Sequence, residues 1–305
     1  MHVQWYPGHM HKASKQIKES LPKVDLIIEI LDARIPHSSE NPMINSLRGD
    51  KPCRKILSKS DLADPVRTRE WQDYLEQEHG VKTLALTTEQ PEIIRQVPDL
   101  CRKMFPGKSG SKTINTMIMG IPNVGKSTLI NILAGRTIAN TGNEPAVTKA
   151  QQLINLKNGI VLFDTPGVLW PNIENQNSGY RLAATGAIKD TALDYDDVAF
   201  YVAAYLLQHY PDNLKKRFEL TELPDSELGL LEMIGKNRGC LRAGGQVELT
   251  KVSKILIKEL RAGTLGGITL ETPALIEKEL AEVEILRKEK ADKKAKRKQK
   301  WKKSR

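Results

Sequence analysis

The sequence lacks the features that mark disulfide-stapled, zinc-binding and membrane proteins. Its three cysteines, Cys53, Cys101 and Cys240, are scattered through 305 residues with no Cys-x-x-Cys spacing. This distribution argues against a disulfide framework or a zinc site and is typical of a reducing cytosol. No apolar run reaches the roughly 18 residues that a membrane span requires, and the first nine residues lack the apolar core of a signal peptide. We therefore expect a cytoplasmic protein with no membrane partner.

Positive charge is concentrated at one end of the chain. The formal net charge is +10, and residues 287–305 hold 12 Lys or Arg against 2 Asp or Glu. The other residues therefore sum to zero, and the basic character belongs to a separable tail. Such blocks commonly bind nucleic acid by neutralising phosphates, although a tail that is merely solvated has the same composition. We expect this tail to contact nucleic acid.

Residues 120–128, with the sequence Gly-Ile-Pro-Asn-Val-Gly-Lys-Ser-Thr, match the phosphate-binding pattern G-x-x-x-x-G-K-[ST]. The run before them predicts a buried strand, and the run after them predicts a helix that stops at Gly135. In that context backbone N–H groups surround phosphate oxygens. Lys126 is expected to reach the β- and γ-phosphates, and the Ser127 hydroxyl to ligate Mg²⁺. The expected nucleotide contacts are Asn123, Val124, Gly125, Lys126, Ser127 and Thr128. The alternative is a glycine turn before an ordinary helix.

A second motif, Asp164-Thr-Pro-Gly167, stands at a predicted strand end 38 residues after Lys126. There the Asp164 carboxylate can hold a Mg²⁺-bound water, and the Gly167 N–H can meet the γ-phosphate. Thr148 lies between the two motifs, where its hydroxyl can complete the Mg²⁺ shell. The pattern D-x-x-G alone is weak evidence, but at this distance after a phosphate loop it indicates a nucleotide switch.

The guanine-recognition pattern [NT]-K-x-D does not follow the switch motif. The later x-K-x-D, residues 289–292, lies in the charged tail with no strand before it. The stretch Ser58-Lys59-Ser60-Asp61 instead follows an apolar strand upstream, where the Asp61 carboxylate would accept hydrogen bonds from guanine N1–H and the 2-amino group. Thr87 and Thr88, after the next strand, are the expected second base-contacting loop. Taken alone, residues 58–61 are equally consistent with a helix-capping turn.

Periodicity places these motifs on one α/β sheet. Strands are predicted at 24–31, 53–57, 81–86 and 113–119 and as a hairpin over 151–163, with helices at 41–47, 65–79 and 91–104. Alternating strands and helices predict a mostly parallel sheet, whose carboxyl strand ends bring the loops together even though their chain order is permuted. Beyond about residue 175 only helices are predicted. We divide the chain into an N-terminal arm (1–20), a nucleotide-binding domain (21–175), a helical domain (176–286) and the basic tail (287–305).

Six stretches of the chain resemble the circularly permuted GTPases of the YlqF/RbgA type. They are Trp5–Met10, Asp32–Pro36, Gly120–Thr128, Asp164–Gly167, Thr185–Asp190 and Arg238–Leu241. The resemblance implies a Ras-like, circularly permuted P-loop GTPase domain that binds GTP, GDP and Mg²⁺, followed by a helical domain that docks on ribosomal RNA. It also implies action late in assembly of the large ribosomal subunit, with the subunit precursor as partner. We expect a monomer with no DNA partner.

Among the departures from the expected pattern, two bear directly on nucleotide binding and hydrolysis. Ser58 stands where the family usually has Asn, and each lost hydrogen bond is expected to weaken nucleotide binding by about 0.5–1.5 kcal/mol. Val168 follows Gly167, where Ras-like enzymes carry a water-orienting Gln. Because an apolar side chain cannot polarise water, we expect slow intrinsic hydrolysis that the ribosome stimulates. The resemblance implies that His9 supplies the missing function and that Asn123 helps to hold a K⁺ beside the phosphates.

Other functions stay open on the sequence alone. A GTP-gated RNA-binding scaffold with little hydrolysis is favoured by Val168 and Ser58. A P-loop ATPase or kinase would lack the guanine contact of Asp61. A purely structural RNA-binding protein leaves Lys126 and Asp164 without a role.

Overall fold

The computed structural model describes residues 6–105, 113–139 and 152–303, with side chains as far as residue 297. The switch threonine expected at position 148 lies outside the described residues. Within these ranges six strands form one sheet in the order β3-β2-β1-β4-β6-β5. The strands are β1 (Leu26–Asp32), β2 (Cys53–Ser58), β3 (Val81–Ala85), β4 (Ile114–Gly120), β5 (Gln152–Asn155) and β6 (Ile160–Asp164). β5 is antiparallel to β6, and the other neighbours are parallel.

The strand order reverses between β1 and β4. The first three strands build outward from β1 to one edge, and the chain then returns to place β4 on the other side of β1. In an open parallel sheet such a reversal leaves a crevice at the carboxyl strand ends, where ligands bind. The permuted order predicted from the motifs is therefore confirmed, and the phosphate-loop strand β4 lies at this point.

Twelve helices surround the described sheet or follow it. They are α1 (Gly8–Ser20), α2 (Pro42–Arg48), α3 (Pro65–Leu75), α4 (Pro91–Ile94), α5 (Val97–Arg102), α6 (Lys126–Ala134), α7 (Gln176–Thr185), α8 (Tyr195–His209), α9 (Pro211–Phe218), α10 (Glu227–Asn237), α11 (Leu249–Ala262) and α12 (Pro273–Lys303). The predicted fold class is confirmed, a P-loop α/β sheet with a helical region after it.

Two helices differ from the sequence prediction, both for local reasons. The predicted helix 91–104 is divided into α4 and α5, because Pro98 has no N–H to continue a helix and is tolerated only in the first turn of a new one. α3 ends at Leu75 rather than near residue 79. The next residue, Glu76, turns its carboxylate to the Thr83 backbone N–H of β3 at 2.7 Å, which draws the chain into the strand.

The apolar core is continuous from the sheet into the helices. One cluster joins β-strand residues such as Ile118 to helical residues such as Leu182 and Val202. A second, smaller cluster packs Trp71 of α3 against Ile276 in the first turns of α12. The start of α12 therefore lies on the nucleotide-binding domain, a contact across about 200 residues that the sequence did not indicate.

The N-terminal segment is helical earlier than its Pro-Gly sequence suggests. α1 begins at Gly8 and buries Met10, Ala13 and Ile17 against the core. The Tyr6 hydroxyl bonds that of Ser14 at 2.9 Å, which ties the entry of the helix to its second turn. Among the described residues, no helix is both long and apolar enough to cross a membrane.

Candidate nucleotide site

The carboxyl ends of four neighbouring strands meet at one edge of the sheet. At the end of β1, Asp32 lies opposite Ser58 of β2, and Ile30 of β1 lies opposite Gly120 of β4. On the other side of β4, Ile118 lies opposite Asp164 of β6. Because parallel strands point the same way, the loops that leave these residues share one surface. The segments predicted to hold base, phosphate and metal therefore converge, although they are far apart in the sequence.

The phosphate loop has the backbone shape that an anion cradle needs. Asn123 and Gly125 have φ angles of 58° and 92°, and Gly125 leads directly into the first turn of α6. Such left-handed turns before a helix point successive N–H groups to one side. A Cβ on Gly120 would lie 2.8 Å from the Ile30 carbonyl oxygen, so only glycine lets β4 leave the sheet here. Ser127 and Thr128 are half-buried in the same helical turn.

Lys126 and Asp164 form a buried ion pair in the centre of the site. The Lys126 ammonium contacts the Asp164 carboxylate, whose other oxygen accepts from Gln152 Nε2 at 3.1 Å. Asp164 has no exposed surface and Lys126 is 5% exposed. Burial lowers the pKa of Lys126, and the Asp164 charge opposes that shift. A cation and a carboxylate held this closely can each turn to a new partner, the first to phosphate and the second to a metal.

The switch motif packs against the phosphate loop at Gly167. A Cβ there would lie 3.1 Å from Pro122 Cα, a contact tighter than side chains normally make. The next residue, Val168, is buried in the core and donates its backbone N–H to Gly120 O at 3.3 Å. Its carbonyl accepts from Asn41 Nδ2 at 3.3 Å. The backbone of Val168 thus holds the switch motif against the start of the phosphate loop, while its apolar side chain lies in the core.

The predicted base loop is bonded directly to the phosphate loop. Ser58 Oγ lies 2.6 Å from Val124 O and 2.9 Å from Leu31 O, and Lys59 Nζ donates to Asn123 O at 2.7 Å. Ser58 therefore bonds the phosphate loop directly, and the weaker nucleotide binding expected from Ser in place of Asn stays a prediction. β2 and β4 both flank β1, and this brings the Ser58 hydroxyl within direct reach of the loop carbonyl.

Asp61 and the second base loop lie beside one another. Asp61 is exposed in a 3₁₀ turn, residues 60–62, and Lys59 just before it takes a left-handed conformation with φ 56°. Ser60 N donates to Leu86 O at 3.2 Å, which connects the base loop to the end of β3. Thr87 is buried and Thr88 is exposed. An exposed carboxylate beside a threonine loop is an arrangement that can receive a purine edge.

Two predicted residues have surroundings that the sequence did not indicate. Asn123 Nδ2 donates to the Gly186 carbonyl oxygen at 2.8 Å, so the phosphate loop is tied to the end of α7. His9 is exposed as the second residue of α1, beside the buried Met10. His9 therefore stands on an anchored helix rather than on a loose arm.

One residue of the site received no role from its sequence. Asp32 ends β1, is 2% exposed and accepts from Lys59 Nζ at 3.0 Å. The available signal was a carboxylate at the end of a central strand, next to the reversal of strand order. Burial alone would raise the pKa of Asp32, but Arg34 and Lys59 hold it well below its usual range.

The chain is similar to known proteins in sequence and in fold. Residues 115–223 match the family model described as 50S ribosome-binding GTPase. Ribosome biogenesis GTPase A of Priestia megaterium is 44% identical over 92% of this chain and 100% of its own length. A GDP-bound YlqF structure has a TM-score of 0.62 at 25% identity, covering 85% of this chain and 99% of its own. GNP-bound YlqF from T. maritima has a TM-score of 0.59 at 26% identity, covering 86% and 98%. The chain belongs to the ribosome biogenesis GTPase A (YlqF/RbgA) family of P-loop GTPases.

Proposed function

We propose that this chain binds GTP across the carboxyl ends of β1, β2, β4 and β6 and couples its hydrolysis to a late step in assembly of the large ribosomal subunit. The observation that carries the proposal is the joining of two distant segments through Lys59–Asn123 and Ser58–Val124, at 2.7 Å and 2.6 Å. Loops joined in this way clasp one nucleotide between them. Membership of the family supports GTP as that nucleotide and the large subunit as partner.

The guanine base is assigned to the two loops that follow β2 and β3. Asp61 accepts hydrogen bonds from N1–H and the 2-amino group, a pair of donors that adenine does not present. Lys59 and Ser58 hold this loop against the phosphate loop, Ser60 contributes its backbone contact to the end of β3, and Thr87 and Thr88 border the base on the other side.

The phosphates are assigned to the loop from Asn123 to Thr128, and Mg²⁺ to the oxygens around them. Lys126 would leave Asp164 for the β- and γ-phosphates, and Gly167 would offer its N–H to the γ-phosphate. Ser127, Thr148 and Asp164 supply hydroxyl and carboxylate oxygens, the donor type that Mg²⁺ takes together with phosphate oxygens. When bound, Mg²⁺ neutralises charge on the β- and γ-phosphates.

Water activation is assigned to His9 because Val168 is buried and apolar. A neutral imidazole can orient the attacking water or accept its proton. The intrinsic rate is then slow, and the ribosomal surface completes the site. The oxygen of the Asn123 amide is the atom that would take a K⁺, and turnover faster in K⁺ than in Na⁺ is the expected sign of it.

RNA binding is assigned to the helical domain and the basic tail, in a monomer acting in the cytoplasm. GTP would hold Gly167 at the γ-phosphate and favour docking, and hydrolysis would release this contact and the particle. Phosphate contacts by the tail make binding fall steeply as salt rises.

Co-sedimentation with large-subunit particles tests the proposal. The chain should sediment with the particles in a non-hydrolysable GTP analogue and be largely released in GDP, and the particles should raise its GTP turnover. Lys126→Ala is the control, because without a phosphate contact its sedimentation should no longer depend on the nucleotide. Equal sedimentation of the unchanged chain in both nucleotides would contradict the coupling.

A further inference from the structure

Asp32 is a buried carboxylate with four polar contacts and no assigned role. Its Oδ1 accepts from Arg34 N at 3.1 Å and from Arg34 Nε at 2.9 Å. Its Oδ2 accepts from Arg34 Nη2 at 2.7 Å and from Lys59 Nζ at 3.0 Å. The contact with Arg34 is bidentate, the geometry that fixes a carboxylate in orientation as well as in position. Both oxygens of Asp32 are thus directed by the protein itself.

Lys59 is held between this carboxylate and the phosphate loop. Its ammonium contacts Asp32 on one side and the Asn123 carbonyl oxygen on the other, at 3.0 Å and 2.7 Å. The Lys59 side chain keeps 25% of its surface exposed. A lysine stem has four rotatable carbons, so an ammonium at this depth can turn to solvent unless a counter-charge retains it. Asp32 is the group in position to retain it.

Arg34 is the second cation of this cluster. The Arg34 side chain is buried, and its Nη1 has no hydrogen-bond partner within the described ranges. Burial alone would lower the pKa of Arg34, but the charge of Asp32, its hydrogen bonds to Arg34 and then the charge of Asp61 raise it. The Arg34 backbone oxygen accepts from Leu270 N at 2.8 Å, which holds the residue in place from the opposite side.

A purely stabilising role does not account for this cluster well. Buried ion pairs often contribute little net stability, because removing two charges from water costs about as much as their attraction returns. The cluster instead joins the three pieces whose relative position decides nucleotide binding, the end of β1, the base loop and the phosphate loop.

We propose that Asp32 is a positioning residue of the nucleotide site, acting through Lys59 to hold the base loop against the phosphate loop, with Arg34 fixing the orientation of the Asp32 carboxylate. The proposal rests on the assignment of residues 58–61 to the guanine base. Asp32 touches no reacting atom in this role. Its loss therefore weakens the binding of GDP and GTP alike and leaves the chemical step unchanged.

The test measures GDP and GTP affinity and steady-state turnover in Asp32→Asn, with Asp99→Asn, which breaks an exposed Asp–Arg pair at 2.9 Å, as matched control. We expect Kd for both nucleotides to rise at least about tenfold and KM to rise with it, with kcat within about twofold of the unchanged chain. A double-mutant cycle with Lys59→Met gives the sharper readout. In the Lys59→Met background, Asp32→Asn should change Kd by less than about twofold.

Unchanged nucleotide affinity in a folded Asp32→Asn chain, or losses that multiply in the double variant, would overturn the proposal. Should Asp32→Asn fail to fold, Arg34→Lys keeps the charge and breaks the bidentate contact, and unchanged GDP binding in that variant overturns it equally. The variant Asp61→Asn distinguishes a failure of the base-loop assignment from a failure of the role proposed for Asp32. If it leaves GDP affinity intact, the base-loop assignment fails together with this proposal. If it lowers GDP affinity while Asp32→Asn does not, only this proposal fails.

Discussion

At the scale of single residues, Glu29 is an unusual carboxylate in the centre of β1. It has no exposed surface, its Oε1 accepts from Asn41 N at 3.0 Å, and its Oε2 has no partner within the described part of the chain. Lys55, its register neighbour on β2, pairs with Glu40 and Glu78 instead. Burial first, and then the charge of Glu40, raises the pKa of Glu29 to about 8. Glu29 is therefore protonated at neutral pH.

A raised pKa makes folding stability depend on pH in a definite direction. Between the unfolded value of 4.5 and about 8 the folded chain holds a proton that the unfolded chain has released. The free energy of unfolding should then fall as pH rises through this window, by at most about 1.4 kcal/mol per unit for one group. Glu29→Gln removes the titration and keeps an oxygen for Asn41. We expect a flatter profile in that variant, measured by urea unfolding from pH 5 to pH 9.

Comparing the unchanged chain with Glu29→Gln isolates the titration of Glu29, because the other titratable groups are present in both proteins. Burial lowers the pKa of His209, which gives a slope of opposite sign below about pH 6.5, but this contribution cancels in the difference. A difference in unfolding free energy that stays constant from pH 5 to pH 9 would contradict the assignment.

His9 can be tested against a neighbour of the same type. His9 and His11 are both exposed on α1, while Met10 between them is buried in the core. Replacing either with Ala should leave the fold and GTP affinity unchanged. His9→Ala should lower turnover by about 100-fold, the range of general acid–base catalysis, whereas His11→Ala should have little effect. Equal turnover in the two variants, with or without ribosomal particles, would remove His9 from the mechanism.

At the scale of elements, the segment between α11 and α12 braces the base loop. Ile268 N donates to Leu62 O at 3.0 Å, and Asp64 N donates to Thr269 Oγ1 at 3.1 Å. A Cβ on Gly267 would lie 2.6 Å from the Ala63 carbonyl oxygen, so the two backbones approach as closely as glycine permits. The helical region thus supports the loop that carries Asp61.

Gly267→Ala should therefore weaken nucleotide binding, although Gly267 does not itself lie in the nucleotide site. The added methyl meets backbone rather than a flexible side chain, so the base loop has to move, at a cost of about 1–3 kcal/mol in stability. We expect a lower melting temperature and weaker GDP binding. Gly8→Ala is the matched control, because a Cβ there meets nothing within 4 Å. GDP affinity equal to that of the control would show that the brace does not hold the base loop.

The elements that the sequence predicted well are those set by local pattern. Strands such as β1 are continuous apolar runs, and helix ends such as Gly135 carry their own stop signal, so both were predictable within a few residues. The strand-end motifs were predictable for the same reason. The brace and the Arg34–Leu270 contact were not, since they join segments more than 200 residues apart. The direct bond from Ser58 to the phosphate loop was not predictable either, because the distance between the two loops is set by the sheet and not by the motif.

At the scale of the whole molecule, α12 is held at its start and exposed beyond it. Arg181, with no exposed surface, donates to Glu279 through Nη1 at 2.8 Å and Nη2 at 2.5 Å, and to Leu270 O through Nε at 3.0 Å. Residues 284–297 are exposed throughout. At 1.5 Å per residue the helix projects more than about 25 Å past Glu279. As far as Lys303, the basic tail is thereby a helical rod that continues from the part of α12 fixed on the nucleotide-binding domain.

This geometry makes a quantitative prediction about salt. Replacing the exposed Lys293, Lys294, Lys296 and Arg297 with Gln keeps the helix and removes four cations. If each of the four contacts an RNA phosphate, the slope of log affinity against log salt should fall by up to about 3.6, since each phosphate contact contributes about 0.7–0.9. GDP affinity should not change. Filter binding of ribosomal RNA over a series of salt concentrations measures the slope.

A control variant with the same net charge distinguishes phosphate contacts made by the tail from long-range attraction by the total charge of the protein. Arg69, Lys82, Arg95 and Lys103 are exposed on the nucleotide-binding domain, and their replacement with Gln gives the same net charge. Counterion release depends on cations that lie against phosphates, whereas long-range attraction depends on total charge and is screened within about 10 Å at 0.1 M salt. The control should keep the slope of the unchanged chain. An equal fall in both variants would mean that net charge, and not the rod formed by α12, draws this protein to RNA.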